Sequence, residues 1–245
     1  MDKQIYQKMR DVENEHWWFV GRRRIVESVI RSIDLPQNAQ ILDAGCGTGG
    51  NLAMLGQFGQ VKGMELNDNA REYANSLGLT QVEAGHLPDE MPYANENFDL
   101  IVLLDVLEHI DNDCASLKTL ESRLSNNGSI LITVPAFQWL WGPHDEAHHH
   151  KRRYNADQLK QTAGSAGLKI DYISYFNTWL FPLIAPVRLI QNKKRTTSTK
   201  LAPPPKPFNN ILTHLFTSER SFVPSVRLPF GVSLIAVLKS PTKQV

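Results

Sequence analysis

The sequence predicts a doubly wound α/β fold, in which helices cover both faces of a mostly parallel sheet. From Gln40 onward, short apolar runs alternate with helical stretches, and this alternation is typical of parallel strands joined by crossover helices. The runs 100–104 and 130–134 are apolar throughout, which indicates central strands buried on both faces. A glycine-rich turn lies between the first predicted strand and the next helix, where the backbone can approach a ligand closely.

Each element is predicted from its own pattern, in chain order. Apolar residues at three- and four-residue spacing predict a helical layer within residues 3–33, before the sheet. Strands are predicted at QILDAG, VKGMEL, QVEAG, FDLIVLLD, SILITVP, LKIDYIS and VSLIAVLKS, and helices at 51–58, 69–76, 114–124 and 155–166. The stretch AFQWLWGPHDEAHHHKRRY is predicted to be irregular. Asn155 can cap the helix that follows it, and Gly167 can end that helix.

The segment between the last two predicted strands is an insertion. Residues 176–195 are apolar and aromatic but contain Pro182 and Pro186, and the following TTSTKLAPPPKP has no regular period. We therefore expect an inserted helical cap with a mobile linker. The predicted organisation is a single domain, 1–245, with a helical cover at 1–38, a core at 39–175, the cap at 176–230, and a final strand and tail at 231–245.

Composition narrows the classes of function. The 245 residues carry 26 Lys and Arg against 25 Asp and Glu, so no overall electric field favours nucleic acid as a partner. Cys46 and Cys114 form neither a disulfide framework nor a spaced metal cluster, which favours a reducing cytoplasm. The N-terminus lacks the apolar core of a signal peptide, and no apolar run approaches the roughly 20 residues that span a bilayer. We expect a cytoplasmic protein.

The turn in ILDAGCGTGGN is typical of a nucleotide-type cofactor site. Gly45, Gly47 and Gly50 match the spacing GxGxxG, and Glu65 follows about 20 residues later, where a ribose-binding acid stands in dinucleotide-binding proteins. The glycines alone therefore do not choose the cofactor. An NAD-dependent oxidoreductase is one alternative at this point.

Several ordered motifs narrow the choice of cofactor. The runs ILDAGCGTG, GMEL, AGHLP, FDLIVLLDVLEHI and ILITVPA occur in this order, and here the sequence resembles the class I S-adenosylmethionine-dependent methyltransferases. The resemblance covers roughly residues 17–167 and the last strand. It implies a Rossmann-like sheet of seven strands, whose last strand runs antiparallel beside the sixth, and S-adenosylmethionine as cofactor. A methyltransferase-like protein that binds without catalysis is the other alternative.

The same resemblance implies which residues contact the cofactor. Three glycines pass under its methionine part, Asp43 faces its amino end, and Glu65 accepts hydrogen bonds from both ribose hydroxyls, which suits a carboxylate. His86 and Leu87 lie on the adenine side, although relatives usually carry an acid where His86 stands. Leu104 and Asp105 border the methionine moiety, at the end of the fourth strand. The full predicted set is Asp43, Gly45, Gly47, Gly49, Glu65, Leu66, His86, Leu87, Leu104 and Asp105.

The acceptor side is predicted from the histidine-rich loop after the fifth strand. If the methyl acceptor is a hydroxyl group, its proton must leave, and histidine titrates in the useful range. We favour His150, then His144, as catalytic residues acting on a small-molecule or lipid-like acceptor, at oxygen. A solvated, charged helix entrance is the alternative interpretation of HHHKRRY. A metal site in PHDEAHHH is a further alternative, but adjacent histidines do not easily face one ion, and we predict no metal.

Two segments outside the core are open to more than one interpretation. Residues 17–19 with Arg22 either fold over the cofactor, Arg22 pairing with its carboxylate, or pack as core. Residues 176–195 join an apolar stretch to a basic end, which favours a substrate lid or a contact with an anionic membrane surface. The oligomeric state is not predicted.

Overall fold

A seven-stranded sheet organises the computed structural model, which describes residues 10–194 and 203–241. The strands are β1 (Ala39–Ala44), β2 (Gly59–Glu65), β3 (Val82–Ala84), β4 (Phe98–Leu104), β5 (Leu124–Pro135), β6 (Lys169–Phe176) and β7 (Ser233–Lys239). Their order across the sheet is β3-β2-β1-β4-β5-β7-β6. The chain therefore winds outward from β1 in one direction and from β4 in the other, and ligands of such sheets bind where this reversal occurs.

The direction of each strand agrees with the resemblance. β1 to β5 are parallel, whereas β7 runs antiparallel between β5 and β6. Ala236 of β7 lies opposite Ile132 of β5 on one side and Ile173 of β6 on the other. The central strands β4 and β5 are almost entirely buried along 100–104 and 129–135. The predicted doubly wound, seven-stranded sheet is confirmed, with its last strand beside the sixth.

Helices cover both faces of the sheet. They are α1 (Trp17–Ile30), α2 (Leu52–Leu55), α3 (Asp68–Ser76), α4 (Asp113–Ser122), α5 (Pro143–Ala147), α6 (Ala156–Ser165), α7 (Phe181–Lys194) and α8 (Lys206–Ser218). Asn155 caps α6 as predicted, since its side chain accepts a hydrogen bond from the backbone N–H of Gln158. Gly167 follows that helix with a φ of +83°, a left-handed conformation that glycine adopts without strain.

Some element boundaries differ from the predictions. The helix predicted at 51–58 is the single turn α2, because the chain must already extend at Gly59 to start β2. The helix predicted at 114–124 ends at Ser122, since Leu124 begins β5. The irregular stretch after β5 contains the short helix α5. In the N-terminal layer, turns interrupt the helix before Trp17, and the predicted residues 3–9 lie outside the described ranges.

The N-terminal cover and the inserted cap pack together on one face of the sheet. Phe216 of α8 stacks on Trp18 of α1 with ring centroids 5.4 Å apart, and both rings contact Phe176. The side chain of Asn209 accepts from the backbone N–H of Trp17 at 3.0 Å and donates to the carbonyl of Glu15 at 2.8 Å. The two segments, distant in sequence, therefore form one layer. The predicted linker falls partly at 195–202, outside the described residues.

Candidate active site

A cavity of about 1000 Å³ lies at the carboxyl ends of β1, β2, β4 and β5. Its walls come from four parts of the chain: the glycine-rich turn, the ends of these strands, the histidine-rich loop, and the layer formed by α1 and the cap. This is the switch point of the sheet, the place where α/β folds bind ligands. Sequence segments predicted to hold a cofactor and an acceptor thus share one enclosure.

The glycine-rich turn presents its backbone to the cavity. Gly45 has a φ of +88°, and a Cβ there would stand 2.7 Å from Val106 Cγ2, so a side chain is excluded. Gly47 has a φ of +58°, and a Cβ built on it would meet no atom within 4 Å. Both glycines line the cavity. A turn this open, followed by a helix, is a cradle that the polar end of a cofactor can fill.

Glu65 stands beside this turn at the end of β2. Its carboxylate accepts hydrogen bonds from the backbone N–H of Gly47 at 2.9 Å and of Asn67 at 2.8 Å. The side chain lines the cavity, although the residue is 5% exposed. The two oxygens therefore have fixed positions next to the glycine turn, which suits binding of two adjacent hydroxyl groups.

Asp105 links the core of the sheet to the cover helix. One carboxylate oxygen accepts a hydrogen bond from Thr133 Oγ1 at 3.0 Å, and the other pairs with the guanidinium of Arg22. Arg22 Nε is buried and has no hydrogen-bond partner within the described part of the chain. Both residues line the cavity. Arg22 therefore brings an incompletely satisfied cation to the cofactor end of the site.

The cover residues line the cavity and also pack in the core. Trp17, Trp18, Phe19 and Arg22 all line the cavity. At the same time, Trp17 and Trp18 pack against Phe216 of the cap. These aromatic side chains are thus part of the core between α1 and α8 and part of the cavity wall.

The other predicted cofactor residues differ in how they face the cavity. Leu66, His86, Leu87 and Leu104 line it, Leu66 as an exposed residue at 66% and Leu87 as a buried one. His86 is partly exposed, and its Nδ1 lies 3.3 Å from Glu90 Oε2. Asp43 and Gly49 are not among the lining residues. Gly49 lies behind the turn, where a Cβ would meet Leu52 and Leu77.

Asp43 is buried at the end of β1 with 1% exposure. Burial raises the pKa of its carboxyl to about 7, against the opposing charge of Arg22. Its Oδ2 has no hydrogen-bond partner among the residues described. Asp43 therefore lies buried next to the turn and is not part of the cavity wall.

A histidine–aspartate pair occupies the acceptor side. His150 Nδ1 lies 2.8 Å from Asp145 Oδ1, and the same carboxylate accepts hydrogen bonds from Arg153 Nε and the backbone N–H of Gly142, each at 2.9 Å. Burial would raise the pKa of Asp145, but its contacts with His150 and Arg153 outweigh burial and hold that pKa well below its usual range. An ionised Asp145 fixes the proton of His150 on Nδ1, so Nε2 can accept a proton.

Other histidines surround His150. The ring of His109 lies 4.7 Å from that of His150, and the rings of His144 and His148 lie 4.4 Å apart. Burial, followed by the neighbouring histidines, lowers the pKa of His109 and of His148 to about 4 and that of His144 well below its ordinary value. These three rings are therefore neutral near pH 7. His144, predicted as a second catalytic residue, also lines the cavity.

Glu108 is a buried acid that the sequence did not single out. Both of its carboxyl oxygens lack a hydrogen-bond partner among the described residues, and burial, with Asp105 nearby, raises its pKa well above the ordinary value. Its Oε1 lies 4.0 Å from His150 Nε2. Ligand atoms of Glu108, His109 and His150 lie within 4.8 Å of one another, a spacing that can hold a metal ion. Of the stretch PHDEAHHH, only His150 belongs to this group.

Three further residues that line the cavity were not predicted from the sequence: His109, Asn177 and Arg188. His109 follows Glu108 in the motif FDLIVLLDVLEHI, so its place one turn after a central strand was a usable signal. Asn177 and Arg188 line the cavity from the inserted segment. The sequence of that segment shows only an apolar composition, and composition does not predict which of its polar residues face the cavity.

Comparisons with known proteins agree with this geometry. Residues 17–173 match the model of a family described as "Methyltransferase domain". Over 118 residues the chain is 27% identical to the mitochondrial ubiquinone biosynthesis O-methyltransferase of Saccharomyces cerevisiae, covering 45% of this chain. Over 170 residues it is 28% identical to an uncharacterized protein of Haemophilus influenzae, covering 64% of this chain. These alignments span 38% and 62% of the lengths of the two relatives.

A solved structure shares the fold. The TehB-like SAM-dependent methyltransferase from Corynebacterium glutamicum superposes with a TM-score of 0.54 at 20% identity, over 90% of this chain and 87% of that one. The family match covers more than half of the chain and removes the choice of cofactor that the glycine spacing had left open. The chain belongs to the class I S-adenosylmethionine-dependent methyltransferases, and S-adenosylmethionine is its cofactor.

Proposed function

We propose that the chain transfers the methyl group of S-adenosylmethionine to a hydroxyl group of a small-molecule acceptor, with His150 as the general base. The observation that carries this proposal is the Asp145–His150 pair, in which His150 lines the same cavity as the glycine-rich turn and Asp145 is buried behind it. A base held in one tautomer by a buried carboxylate is the arrangement that deprotonation of a hydroxyl group requires.

The cofactor end of the cavity fits S-adenosylmethionine. Glu65 would accept hydrogen bonds from the ribose hydroxyls, the backbone of Gly45 and Gly47 would lie under the methionine part, and Arg22 would pair with its carboxylate. His86 and Leu87 would border the adenine. The bound cofactor supplies an electrophilic methyl group on a sulfonium, so positioning and exclusion of water contribute much of the rate.

The acceptor end supplies the base. A neutral hydroxyl group is a weak nucleophile, and its proton would pass to His150 Nε2 as the carbon–oxygen bond forms and the methyl–sulfur bond of the sulfonium breaks, which leaves a neutral thioether, S-adenosylhomocysteine. Asp145 then stabilises the imidazolium, because its Oδ1 lies 2.8 Å from His150 Nδ1 and accepts the hydrogen bond from that nitrogen. Burial, with Asp105 nearby, raises the pKa of Glu108 and so favours its neutral form beside His150 Nε2. Such a base typically contributes about 10²- to 10⁴-fold to the rate.

Transfer to oxygen has further support in the relatives. The Saccharomyces cerevisiae relative is named as an O-methyltransferase. For this chain, the geometry of His150 favours an acceptor that must lose a proton over an amine that already has a free lone pair. The acceptor is proposed to be a small or lipid-like molecule, because the cap contributes Asn177, Ile184 and Arg188 to the wall of a cavity of about 1000 Å³.

The two cysteines and the helices of the cap support a proposal for the location of the protein in the cell. Cys46 and Cys114 are both free thiols, which supports a reducing compartment, the cytoplasm. No helix in the described ranges 10–194 and 203–241 is long and apolar enough to cross a membrane. We place α7, within the predicted contact segment 176–195, on an anionic membrane surface, since several of its apolar side chains face solvent.

The test is transfer of a labelled methyl group to a panel of hydroxylated small molecules and lipids, each paired with its amine analogue. The His150→Asn variant is expected to bind S-adenosylhomocysteine as the wild type does, and to lower kcat on the hydroxyl acceptor by about 100-fold or more. Added imidazole should restore part of the rate in a His150→Ala variant, because it can occupy the space and accept the proton.

Other outcomes of this experiment would point elsewhere. Unchanged turnover in His150→Asn contradicts the role of the base. A rate that is lost on dialysis against a chelator and restored by a divalent cation would make Glu108, His109 and His150 a metal site. Cofactor binding without turnover on any acceptor would favour the non-catalytic alternative.

A further inference from the structure

The inserted segment contributes a polar wall to the cavity. Asn177, Ile184 and Arg188 come from this segment and line the cavity opposite the strand ends. None of them takes part in the glycine-rich turn or in the Asp145–His150 pair. Their polar groups therefore need an explanation of their own.

Arg188 is a cation that forms no ion pair with the residues that the structure describes. Its Nη1 atom is buried and has no hydrogen-bond partner within the described part of the chain. Burial, followed by the like charge of Arg153, lowers the pKa of its guanidinium to about 10, and Asp145 opposes this. Asp145 is already engaged by Arg153 and His150. Burying a charged group costs free energy when one of its donors forms no hydrogen bond. Such a group in a cavity wall therefore indicates a ligand site.

No described group around Arg188 supplies an anion that pairs with it. His144 and His148 interact with it electrostatically, and both have lowered pKa values, in part because of that charge. The carboxylate of Asp105 is paired with Arg22 on the cofactor side. The carboxyl of Glu108 lies 4.0 Å from His150 Nε2, and burial raises its pKa. An added anion would relieve this excess of positive potential.

Asn177 is a second, independent indication that a polar ligand binds at this wall. The residue is 0% exposed and lines the cavity, yet neither its side-chain oxygen nor its nitrogen has a partner among the described residues. Its backbone is fixed, because its N–H donates to Glu219 Oε2 at 2.6 Å. A buried amide in a fixed backbone, with both ends unused, indicates a wall built for a polar molecule.

We propose that the methyl acceptor carries an anionic group, a carboxylate or a phosphate, that binds to the guanidinium of Arg188, while Asn177 hydrogen-bonds another polar atom of the acceptor. A planar guanidinium matches the oxygens of either anion with two parallel hydrogen bonds. This inference rests on the proposed function only in identifying the bound molecule as the acceptor. Arg22, beside Asp105 and the glycine turn, remains available for the carboxylate of the cofactor.

The experiment is a calorimetric titration of the full chain saturated with S-adenosylhomocysteine. The probes are benzoate, phenyl phosphate and inorganic phosphate, with benzamide as the neutral analogue of benzoate. We expect at least one aromatic anion to bind, benzamide to bind at least tenfold more weakly, and the preferred anion to distinguish a carboxylate from a phosphate acceptor. Arg188→Met should weaken that anion at least tenfold, and Arg188→Lys should weaken it less.

Controls separate this inference from the proposed function. Arg220→Met, at an exposed position outside the cavity wall, should bind the anion as the wild type does. If S-adenosylhomocysteine binds and the anions do not, or if Arg188→Met leaves anion binding unchanged, the inference fails while the cofactor assignment stands. A tenfold loss of S-adenosylhomocysteine affinity in Arg188→Met would overturn it too, because Arg188 would then belong to the cofactor site. Failure of the chain to bind S-adenosylhomocysteine would contradict the cofactor assignment itself.

Discussion

The carboxylate of Glu65 joins the glycine-rich turn to the start of α3. It accepts from Gly47 and Asn67, one N–H on each oxygen. Because both oxygens are held in place before any ligand arrives, little reorganisation is needed for them to accept two hydroxyl protons. This single side chain therefore combines a structural role with the proposed ribose contact.

Replacing Glu65 by Gln tests this role. The amide NH₂ would face one of the two backbone N–H groups, so one hydrogen bond is lost and the negative charge disappears. We expect the affinity for S-adenosylhomocysteine to fall about 10- to 100-fold, the value of hydrogen bonds to a charged group. Calorimetry of the folded variant measures this. Glu72→Gln, on the exposed side of α3, is the matched control, and an affinity within twofold of the wild type in Glu65→Gln would exclude the contact.

The sequence predicted the residues of the site whose positions are fixed by a local backbone pattern. Gly45, Gly47 and Glu65 belong to a strand–turn–helix pattern whose geometry the sequence specifies locally. Asp43 is in the same pattern, but it is buried and is not among the residues that line the cavity. Arg188 could not be predicted, because its position depends on how the cap folds back over the sheet.

At the scale of elements, the contact between α1 and α8 depends on one small residue. Gly21 lies in the middle of α1, where glycine normally destabilises a helix by about 0.5–1 kcal/mol relative to alanine. Here a Cβ built on Gly21 would collide with the ring of Phe216. The absence of a side chain thus permits the aromatic stack that joins the cover to the cap.

Gly21→Ala is therefore expected to destabilise the protein despite its better helix propensity. Overpacking of this kind costs about 1–3 kcal/mol, and urea unfolding of the purified chain would measure the loss. Gly164→Ala is the matched control, because Gly164 lies in α6 and a Cβ there would meet nothing within 4 Å. That variant should be stabilised by about 0.5–1 kcal/mol. Equal effects of the two substitutions would show that Phe216 does not limit the packing at Gly21.

Element types were predictable where hydrophobic period and burial agree. β4 and β5 are apolar runs between turn signals, and both are central strands in the structure. The helix α5 escaped prediction because five residues carry no full amphipathic period. Its formation depends on Asp145, whose carboxylate accepts from the N–H of Gly142 at 2.9 Å. The residue that caps the start of this helix therefore also orients His150.

For the whole molecule, the cap has two unlike faces. Ile184 and Arg188 of α7 line the cavity, whereas Leu183, Val187 and Ile190 of the same helix are exposed at 64%, 52% and 54%. On α8 the exposed apolar residues are Phe208, Ile211 and Leu215. Each set repeats at three- or four-residue spacing, so each helix presents an apolar stripe to solvent. Exposed apolar stripes of this kind are typical of a surface that contacts another phase or partner.

The charge of the same segment favours an anionic membrane as that partner. Residues 172–218 contain six Lys or Arg, one of which is the cavity residue Arg188, and no Asp or Glu, although the chain as a whole has a net charge of only +1. Each basic residue near an anionic surface contributes about 1 kcal/mol of attraction, and salt screens it. Apolar stripes combined with this local positive charge are the two requirements for binding at a membrane interface. A lipid-like acceptor could then enter the cavity from that surface.

Co-sedimentation with lipid vesicles tests the membrane contact. The wild-type chain should bind vesicles containing phosphatidylglycerol, bind less at about 0.5 M salt, where charges more than a few Å apart are screened, and bind neutral phosphatidylcholine vesicles weakly. Leu183→Glu combined with Ile211→Glu places charge in both stripes and should lower the bound fraction at least fivefold, while leaving affinity for S-adenosylhomocysteine unchanged. Leu79→Glu, which alters an equally exposed leucine before β3 (52% exposed), should bind as the wild type does. Equal loss in both variants, or binding that ignores lipid charge and salt, would assign the stripes to something other than an anionic membrane.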